Sequence, residues 1–175
     1  MGLRDVVRGR LRRESPAVSA VPGGLDLAAG ERLLASAAVD GGVLAVTTRR
    51  LVAPGVPAGG MPWHLVDTGG WDRGGDGRLH VSWVDGTEAA SWHLADPGRV
   101  PEAFRERVQA SVVLAEQVSL DQTRRARVVL RKDLTSGRFL AQTIVGRGCD
   151  PDDPELVAET ERVALSLAEQ VGLDP

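Results

Sequence analysis

Three histidines are the residues of this chain best suited to bind a metal ion, and they are His64, His80 and His93. The stretch over residues 61–94 contains all of them and is typical of β-strands joined by glycine-rich turns. A hairpin centred on Asp85-Gly86 makes His80 and His93 diagonal neighbours on one face of a sheet, and together with His64 they could hold zinc. Because no cysteine or carboxylate stands at ligand spacing, the pattern favours the alternative, a polar outer sheet face, and we predict no metal site.

The single cysteine, Cys149, is the second chemical candidate. It stands just before a predicted helix N-terminus, where a thiolate would be stabilised, but no histidine nearby in sequence offers the base that a catalytic cysteine needs. The glycine-rich stretches lack the Lys-Ser/Thr of phosphate loops, and no nucleophile elbow or pair of catalytic acids is recognisable. We therefore predict a protein that is not an enzyme and has no cofactor, with Cys149 as a loop residue in a reducing compartment.

Arginines near the N-terminus form the first candidate binding surface. The predicted contact residues are Arg8, Arg10, Arg12 and Arg13. In a short helix over residues 1–14 they would surround an apolar side formed by Leu3, Val7 and Leu11, a pattern that suits an anionic membrane surface. The alternative is a basic tail without stable helical structure, because a segment this short rarely holds a helix alone.

A second group of arginines alternates along the strand predicted over residues 124–132. One side of this strand carries Ala126, Val128 and Leu130, and the other carries Arg125, Arg127 and Arg131. These arginines could contact an anionic partner, either a membrane surface or an acidic protein segment. They could equally protect the outer face of a sheet, or pair with the acidic final helix.

Four tryptophans stand in a chain that has two phenylalanines and no tyrosine. Trp63, Trp83 and Trp92 share the parity that the predicted strands bury, so we expect them in the core. Trp71 lies beside a glycine-rich loop and is the tryptophan expected to be exposed. It is therefore a candidate contact residue.

Length and composition limit the possible function classes. At 175 residues the chain suits one domain, or a core domain with a small appendage. Its net charge of -3 argues against nucleic-acid binding, which needs a concentrated basic surface. No stretch has the length of a transmembrane helix, and the N-terminus lacks the apolar segment of a signal peptide, so we expect a cytoplasmic protein.

The elements that must position these residues are mostly strands. We predict strands over residues 31–39, 43–48, 51–53, 61–71 (with a break or bulge at 67–70), 78–84 and 87–94, a helix over 101–117, strands over 124–132 and 138–145, and a helix over 153–172. In the hairpin around Asp85-Gly86, the apolar alternation pairs Leu79 with Trp92 and Val81 with Ala90. Asp153 and Pro154 are typical of the N-cap and first position of a helix.

This order of elements resembles a known class of domains. The stretches GERLLASAAVDGGVLAVTTRRLV, MPWHLVDTGGWD and RLHVSWVDG, with a proline–glycine loop and a closing helix, resemble bacterial pleckstrin-homology-like (PH-like) domains, including GRAM-type members, over residues 30–117. The chain is also similar to an actinobacterial group of PH-like proteins of this size. The resemblance implies a bent antiparallel β-barrel closed by the helix over residues 101–117, which binds phosphoinositide headgroups or proteins. Lipid-binding members use basic residues in the loop between the first two strands, and the loop here, residues 39–42, contains none.

These features predict a mainly β, α+β chain in three parts. The parts are a basic arm and linker over residues 1–24, a PH-like domain over 25–118, and a ββα extension over 119–175 that packs on it. We predict a non-catalytic binding or adaptor module that acts through contact with an unidentified protein partner and takes no small-molecule substrate. The alternative is a peripheral protein at the inner face of the membrane that binds anionic lipid through its basic arm.

Overall fold

The structure is a computed structural model that describes residues 24–72 and 74–173. The predictions for the basic arm, including Arg8, Arg10, Arg12 and Arg13, lie outside the described residues. The described chain is mainly β, with three small antiparallel sheets and a C-terminal helix, which confirms the predicted fold class. Its strands do not close into one barrel, so the PH-like barrel stays a prediction.

The first sheet contains the strands expected near the start of the globular region. In sheet order they are β1 (Leu33–Val39), β2 (Gly42–Thr47), β3 (Arg50–Val52) and β4 (Met61–Pro62). Gly41, between β1 and β2, has a φ of +83°, a backbone conformation that glycine adopts without strain and that a tight turn requires. β1 and β2 pair from Val39–Gly42 back to Leu33–Thr47, with an irregularity near Leu33.

The prediction that the strand beginning at Met61 continues beyond Pro62 is wrong. Residues Trp63–Leu65 form a short 3-10 helix instead. Pro62 has no N–H to extend the ladder, and the indole N–H of Trp63 donates to the Thr47 carbonyl at 3.0 Å, which holds the ring inside the core.

The second sheet follows this turn and has the order β5 (Val66–Trp71), β6 (Arg78–Trp83) and β7 (Ala90–His93). Its predicted register is confirmed, because Leu79 pairs with Trp92 and Val81 with Ala90. The bulge expected in β5 is also present, between Val66 and Thr68. The two-residue turn is wrong: residues 84–89 form a longer loop, which the Trp83 indole N–H closes by donating to the Glu88 carbonyl at 3.2 Å.

The helix predicted over residues 101–117 ends earlier than expected. It is α1 (Val100–Ser111), and the chain then continues directly as strand β8 (Val112–Ser119). Val112 has φ -89° and ψ 123°, an extended conformation. Val112 and Val113 are β-branched and favour this conformation, and the strand gains a partner in β9 (Arg125–Lys132).

The third sheet therefore has three strands where two were predicted, in the order β10 (Phe139–Val145), β9, β8. It is followed by α2 (Pro154–Gln170), which begins as predicted. The Asp153 carboxylate accepts a hydrogen bond from the Leu156 N–H at 2.9 Å and so acts as the N-cap.

Two clusters of buried side chains stabilise these layers. The first lies between the first two sheets and α1 and contains Trp63, Trp83 and Trp92, which confirms their expected core positions. The second lies between the third sheet and α2 and contains Val128, Leu130, Leu156, Val163 and Leu167. Among the described helices, none is long and apolar enough to cross a membrane.

Candidate functional site

A groove between strand β5 and helix α1 is the candidate binding site. It encloses about 650 Å³ and opens to solvent. Its floor is apolar and consists of Trp71, Leu79, Phe104 and Val108. Its rim on the helix side is polar and consists of Glu102, Arg105 and Gln109. An apolar floor with a few polar groups at its edge is typical of a binding site.

Trp71, the predicted contact residue, lies in this groove. It ends β5 opposite Leu79, and its ring is only partly buried because one side packs on the first core cluster while the other faces the groove. The tryptophan predicted to be exposed is therefore partly exposed, unlike the other three tryptophans, which are buried. Trp71 still presents part of its indole surface to solvent, inside the groove.

Strand β5 also presents unpaired backbone groups to the groove. The Asp72 N–H donates to the Arg78 carbonyl at 3.0 Å. Because every second residue of an antiparallel strand bonds to the same neighbour, Gly70 and Thr68 also direct their N–H and C=O groups toward β6. Gly69 and Trp71 have the opposite parity and direct their N–H and C=O groups outward. No other strand of the described chain pairs with this edge. The edge is therefore a template for one further extended strand.

Helix α1 approaches β5 closely because β5 has glycine at the contact. A Cβ atom at Gly69 would overlap the ring of Phe104, whereas a Cβ atom at Gly70 would meet nothing within 4 Å. Phe104 itself is 3% exposed and stacks edge-on against Trp63, with the ring centroids 5.7 Å apart. Gly69 thus sets the width of the groove.

A polar seam lies next to the groove, where the third sheet packs against β5 and α1. We define the seam by His64, Asp67, Ser111, Arg127, Arg131, Asp133 and Gln142. Arg127 forms an ion pair with the Asp67 carboxylate, and Arg131 donates to the Asp67 carbonyl at 3.3 Å and to the Ser111 hydroxyl at 3.1 Å. These bonds fix the third sheet against the end of β5.

The arginines predicted on one side of β9 therefore occupy three different environments. Arg125 is exposed, as expected, and Arg127 is partly buried in its ion pair with Asp67. The expected outer position of Arg131 is wrong, because its side chain is only 1% exposed. Burial lowers the pKa of Arg131, and the positive charge of Arg127 acts in the same direction against the stabilising charge of Asp67. Arg131 is unable to meet an external anionic partner from this position.

The histidines are separated by the fold. His80 and His93 lie on the exposed face of the second sheet, whereas His64 lies in the seam, with its Nδ1 3.6 Å from the Asp133 carboxylate. Burial lowers the pKa of His64, and the nearby charge of Arg131 lowers it further, while Asp133 opposes both. In residues 24–72 and 74–173, no three side chains of the His, Cys, Asp or Glu type are grouped to hold a metal ion.

The seam leaves some buried polar atoms without a hydrogen-bond partner. These atoms are His64 Nδ1, Arg131 Nε and Gln142 Oε1. Gln142 is otherwise bonded, since its amide Nε2 donates to the His64 carbonyl at 2.9 Å. Sequence reasoning missed the seam because its members are scattered between residues 64 and 142 and meet only through tertiary packing.

The loop between β1 and β2 and the residue Cys149 are weaker candidates for a binding site. The loop between β1 and β2 carries Asp40 and packs near Pro54, with no basic side chain to bind a phosphate. Cys149 is partly exposed in a turn before α2, where its N–H donates to the Gly146 carbonyl at 3.0 Å. Neither position adds to the groove.

Comparison of this chain with protein-family models, with curated proteins and with solved structures finds no match. Membership of the PH-like class stays a prediction from the sequence pattern.

Proposed function

We propose that this chain is a non-catalytic binding module that acts through protein–protein contact, and that its contact surface is the groove between β5 and α1. The observation that carries the proposal is the coincidence of an open strand edge with an apolar floor. Outward backbone groups of Gly69 and Trp71 lie beside the partly exposed indole of Trp71. An extended segment of a partner protein would satisfy both, because its backbone adds to the edge and one apolar side chain enters the groove.

The predicted PH-like architecture is part of this proposal. In it, residues 25–118 form the PH-like domain and α1 is the helix that closes it. The order of strands and the position of α1 against β1, β2 and β5 support this assignment. The lone, partly exposed thiol of Cys149 supports placing the module in the cytoplasm, where thiols stay reduced.

The decisive experiment selects binding peptides and locates where they bind. Peptides from a displayed random library are selected on the full-length chain, and their affinity is measured for the wild type and for Trp71→Ala. Loss of the indole should weaken binding by at least about tenfold, since tryptophans at the centre of an interface commonly contribute this much or more. His80→Ala, on the opposite face of the same sheet, is the matched control and should bind with wild-type affinity. Wild-type affinity in Trp71→Ala would reject the groove as the contact surface.

A second candidate function is peripheral attachment to an anionic membrane. The observation in its favour is in the sequence: residues 1–24 carry five arginines against Asp5 and Glu14, whereas residues 150–175 carry eight acidic residues against Arg162 alone. A basic arm on an acidic body would bind the inner face of the membrane by charge and would leave the groove free for its protein partner.

A further inference from the structure

Strand β10 is an open sheet edge without the usual protection. Its sequence, FLAQTIV, has no charged residue, proline or glycine. It pairs with β9 at every position from Phe139–Lys132 to Val145–Ala126, with no bulge. Natural edge strands are normally short, bulged, charged or covered, because a regular bare edge pairs with other chains.

Each of the other sheet edges of the described chain has at least one of these protections, including β5, which begins with a bulge, carries Asp67 and leaves only residues 68–71 open beside the groove. β1 is irregular near Leu33 and is contacted by α1. β4 has two residues, one of which is Pro62, and β7 has four. β5 and β8 both contain register shifts, and β8 carries Glu116. β10 therefore differs from every other edge in being regular, long and uncharged.

The backbone of β10 directs one parity of residues outward. The Arg138 carbonyl accepts from the Asp133 N–H at 2.8 Å, and the Gly146 N–H donates to the Arg125 carbonyl at 2.7 Å, so the even-numbered residues bond to β9. The N–H and C=O groups of Phe139, Ala141, Thr143 and Val145 consequently point away from the sheet. In the part of the chain that the structure describes, no backbone group bonds to them.

We infer that the β10 edge binds a second copy of this chain, with the two β10 strands antiparallel about a two-fold axis near Gln142. This axis pairs Phe139 of one copy with Val145 of the other, and Ala141 with Thr143. Every outward residue then meets an outward residue, so each hydrogen-bonding group of the edge finds a partner. The strand is thus complementary to itself.

The side chains of β10 favour pairing with a second copy of this chain over pairing with an unrelated strand. Without charge on β10, self-pairing places no like charges opposite each other within the ladder. Phe139, which is 38% exposed, would be covered by the second copy. Because the far edge of the same sheet, β8, is bulged and charged, the pairing ends at one dimer with a six-stranded sheet and does not propagate.

The ends of the paired strands predict a salt effect. Arg138 precedes β10 and Arg147 follows it. In the dimer, Arg138 of one copy would therefore lie near Arg147 of the other copy. These exposed charges repel each other and are screened by salt. Dimerisation should therefore strengthen as the salt concentration rises. This inference is independent of the groove between β5 and α1.

The experiment measures molar mass and backbone protection of the full chain. Sedimentation or light scattering over a range of concentrations should give a mass that rises to twice 18.5 kDa. In the same sample, the amides of Ala141 and Thr143 should be protected from hydrogen exchange and should lose protection on dilution. A wild-type chain that stays monomeric at high concentration, or that leaves these amides unprotected, would overturn the inference and would leave the edge to a foreign strand.

A pair of variants separates backbone pairing from side-chain effects. Thr143→Pro removes an outward N–H and none of the bonds to β9, so it should give a folded monomer. Thr143→Ala keeps the N–H and should remain dimeric. Circular dichroism and thermal melting check that both fold, and Ala141→Lys provides an independent block of the edge if Thr143→Pro does not fold. A dimeric Ala141→Lys together with a dimeric Thr143→Pro would reject β10 as the interface.

Discussion

Asp67 of β5 and Arg127 of β9 form an ion pair that joins the second and third sheets. The Asp67 carbonyl also accepts from Arg131, so a single residue at the bulge of β5 receives both arginines of the seam. Asp67 directly precedes Thr68, which lines the groove between β5 and α1, so the packing of the third sheet bears on the position of the β5 wall of the groove.

Asp67→Asn should lower the free energy of unfolding by about 2 kcal/mol, because Arg127 and the buried Arg131 lose their nearest negative charge. Urea denaturation of Asp67→Asn, Arg127→Gln and the double variant measures the coupling between the two side chains. Glu159→Gln, which removes a more exposed pair with Arg162 on the surface of α2, is the control and should change stability less. Additive effects of the two seam substitutions would show that the ion pair contributes nothing.

Stability should fall when the pH drops below the ordinary histidine range. Burial holds the pKa of His64 below its usual value of 6.5, so between these two values the unfolded chain binds a proton that the folded chain does not. The stabilising contribution of neutral His64 is present above about pH 6.5 and is lost as the pH falls through its folded pKa. Melting temperatures measured from about pH 7.5 down to about pH 5.5 check this, because carboxyl groups titrate mainly below that interval.

His64→Gln should flatten this part of the stability profile, whereas His80→Gln, at an exposed position, should leave it unchanged. An equal flattening in both variants, or none in His64→Gln, would assign the pH dependence to other groups.

Glu31 affects stability in a lower pH interval: burial raises its pKa, but hydrogen bonds from Arg50 and Thr47 outweigh this effect and lower the pKa overall. Its contribution is present above its ordinary pKa of 4.5 and is lost as the pH falls further.

The second candidate function predicts binding to lipid vesicles through the arm. Substituting alanine at Arg8, Arg10, Arg12 and Arg13 should abolish flotation with anionic vesicles, and high salt should do the same for the wild type. Neutral vesicles and the variant Arg162→Ala, which removes an exposed arginine of α2, are the controls. Absence of salt-sensitive flotation in the wild type would exclude this function, and peptide binding in the groove would be unaffected by either result.

Local sequence patterns predicted those parts of the fold that local chemistry decides. Leu79 and Trp92 alternate with polar residues beside a turn, so their register could be derived, and Asp153-Pro154 marked the start of α2. Val112 and Val113 continue the apolar spacing of α1, and although their β-branched side chains favour an extended backbone, it is pairing with the distant strand β9 that decides between helix and strand. Arg131 has the alternation of an exposed strand residue, and its burial depends on β5 and α1 packing over that face.

The candidate site was predictable to the same extent. Trp71 was recognised because its position beside a glycine-rich loop predicts exposure, but the opposite wall of the groove, α1, is remote in sequence. Gly69-Gly70 within a predicted strand was the available signal for close approach of another element.

Gly69→Ala should destabilise the chain and narrow the groove, because the added Cβ overlaps the Phe104 ring in a packed contact. Such overpacking costs about 1–3 kcal/mol and is relieved by moving α1 or the ring. Gly70→Ala is a matched control in the same strand: its Cβ meets nothing within 4 Å, so its effect should be small. Urea denaturation compares the two, and peptide affinity reports the groove. Equal stability and equal affinity in both variants would mean that α1 does not set the width of the groove, and the proposed binding surface would lose its rigid wall.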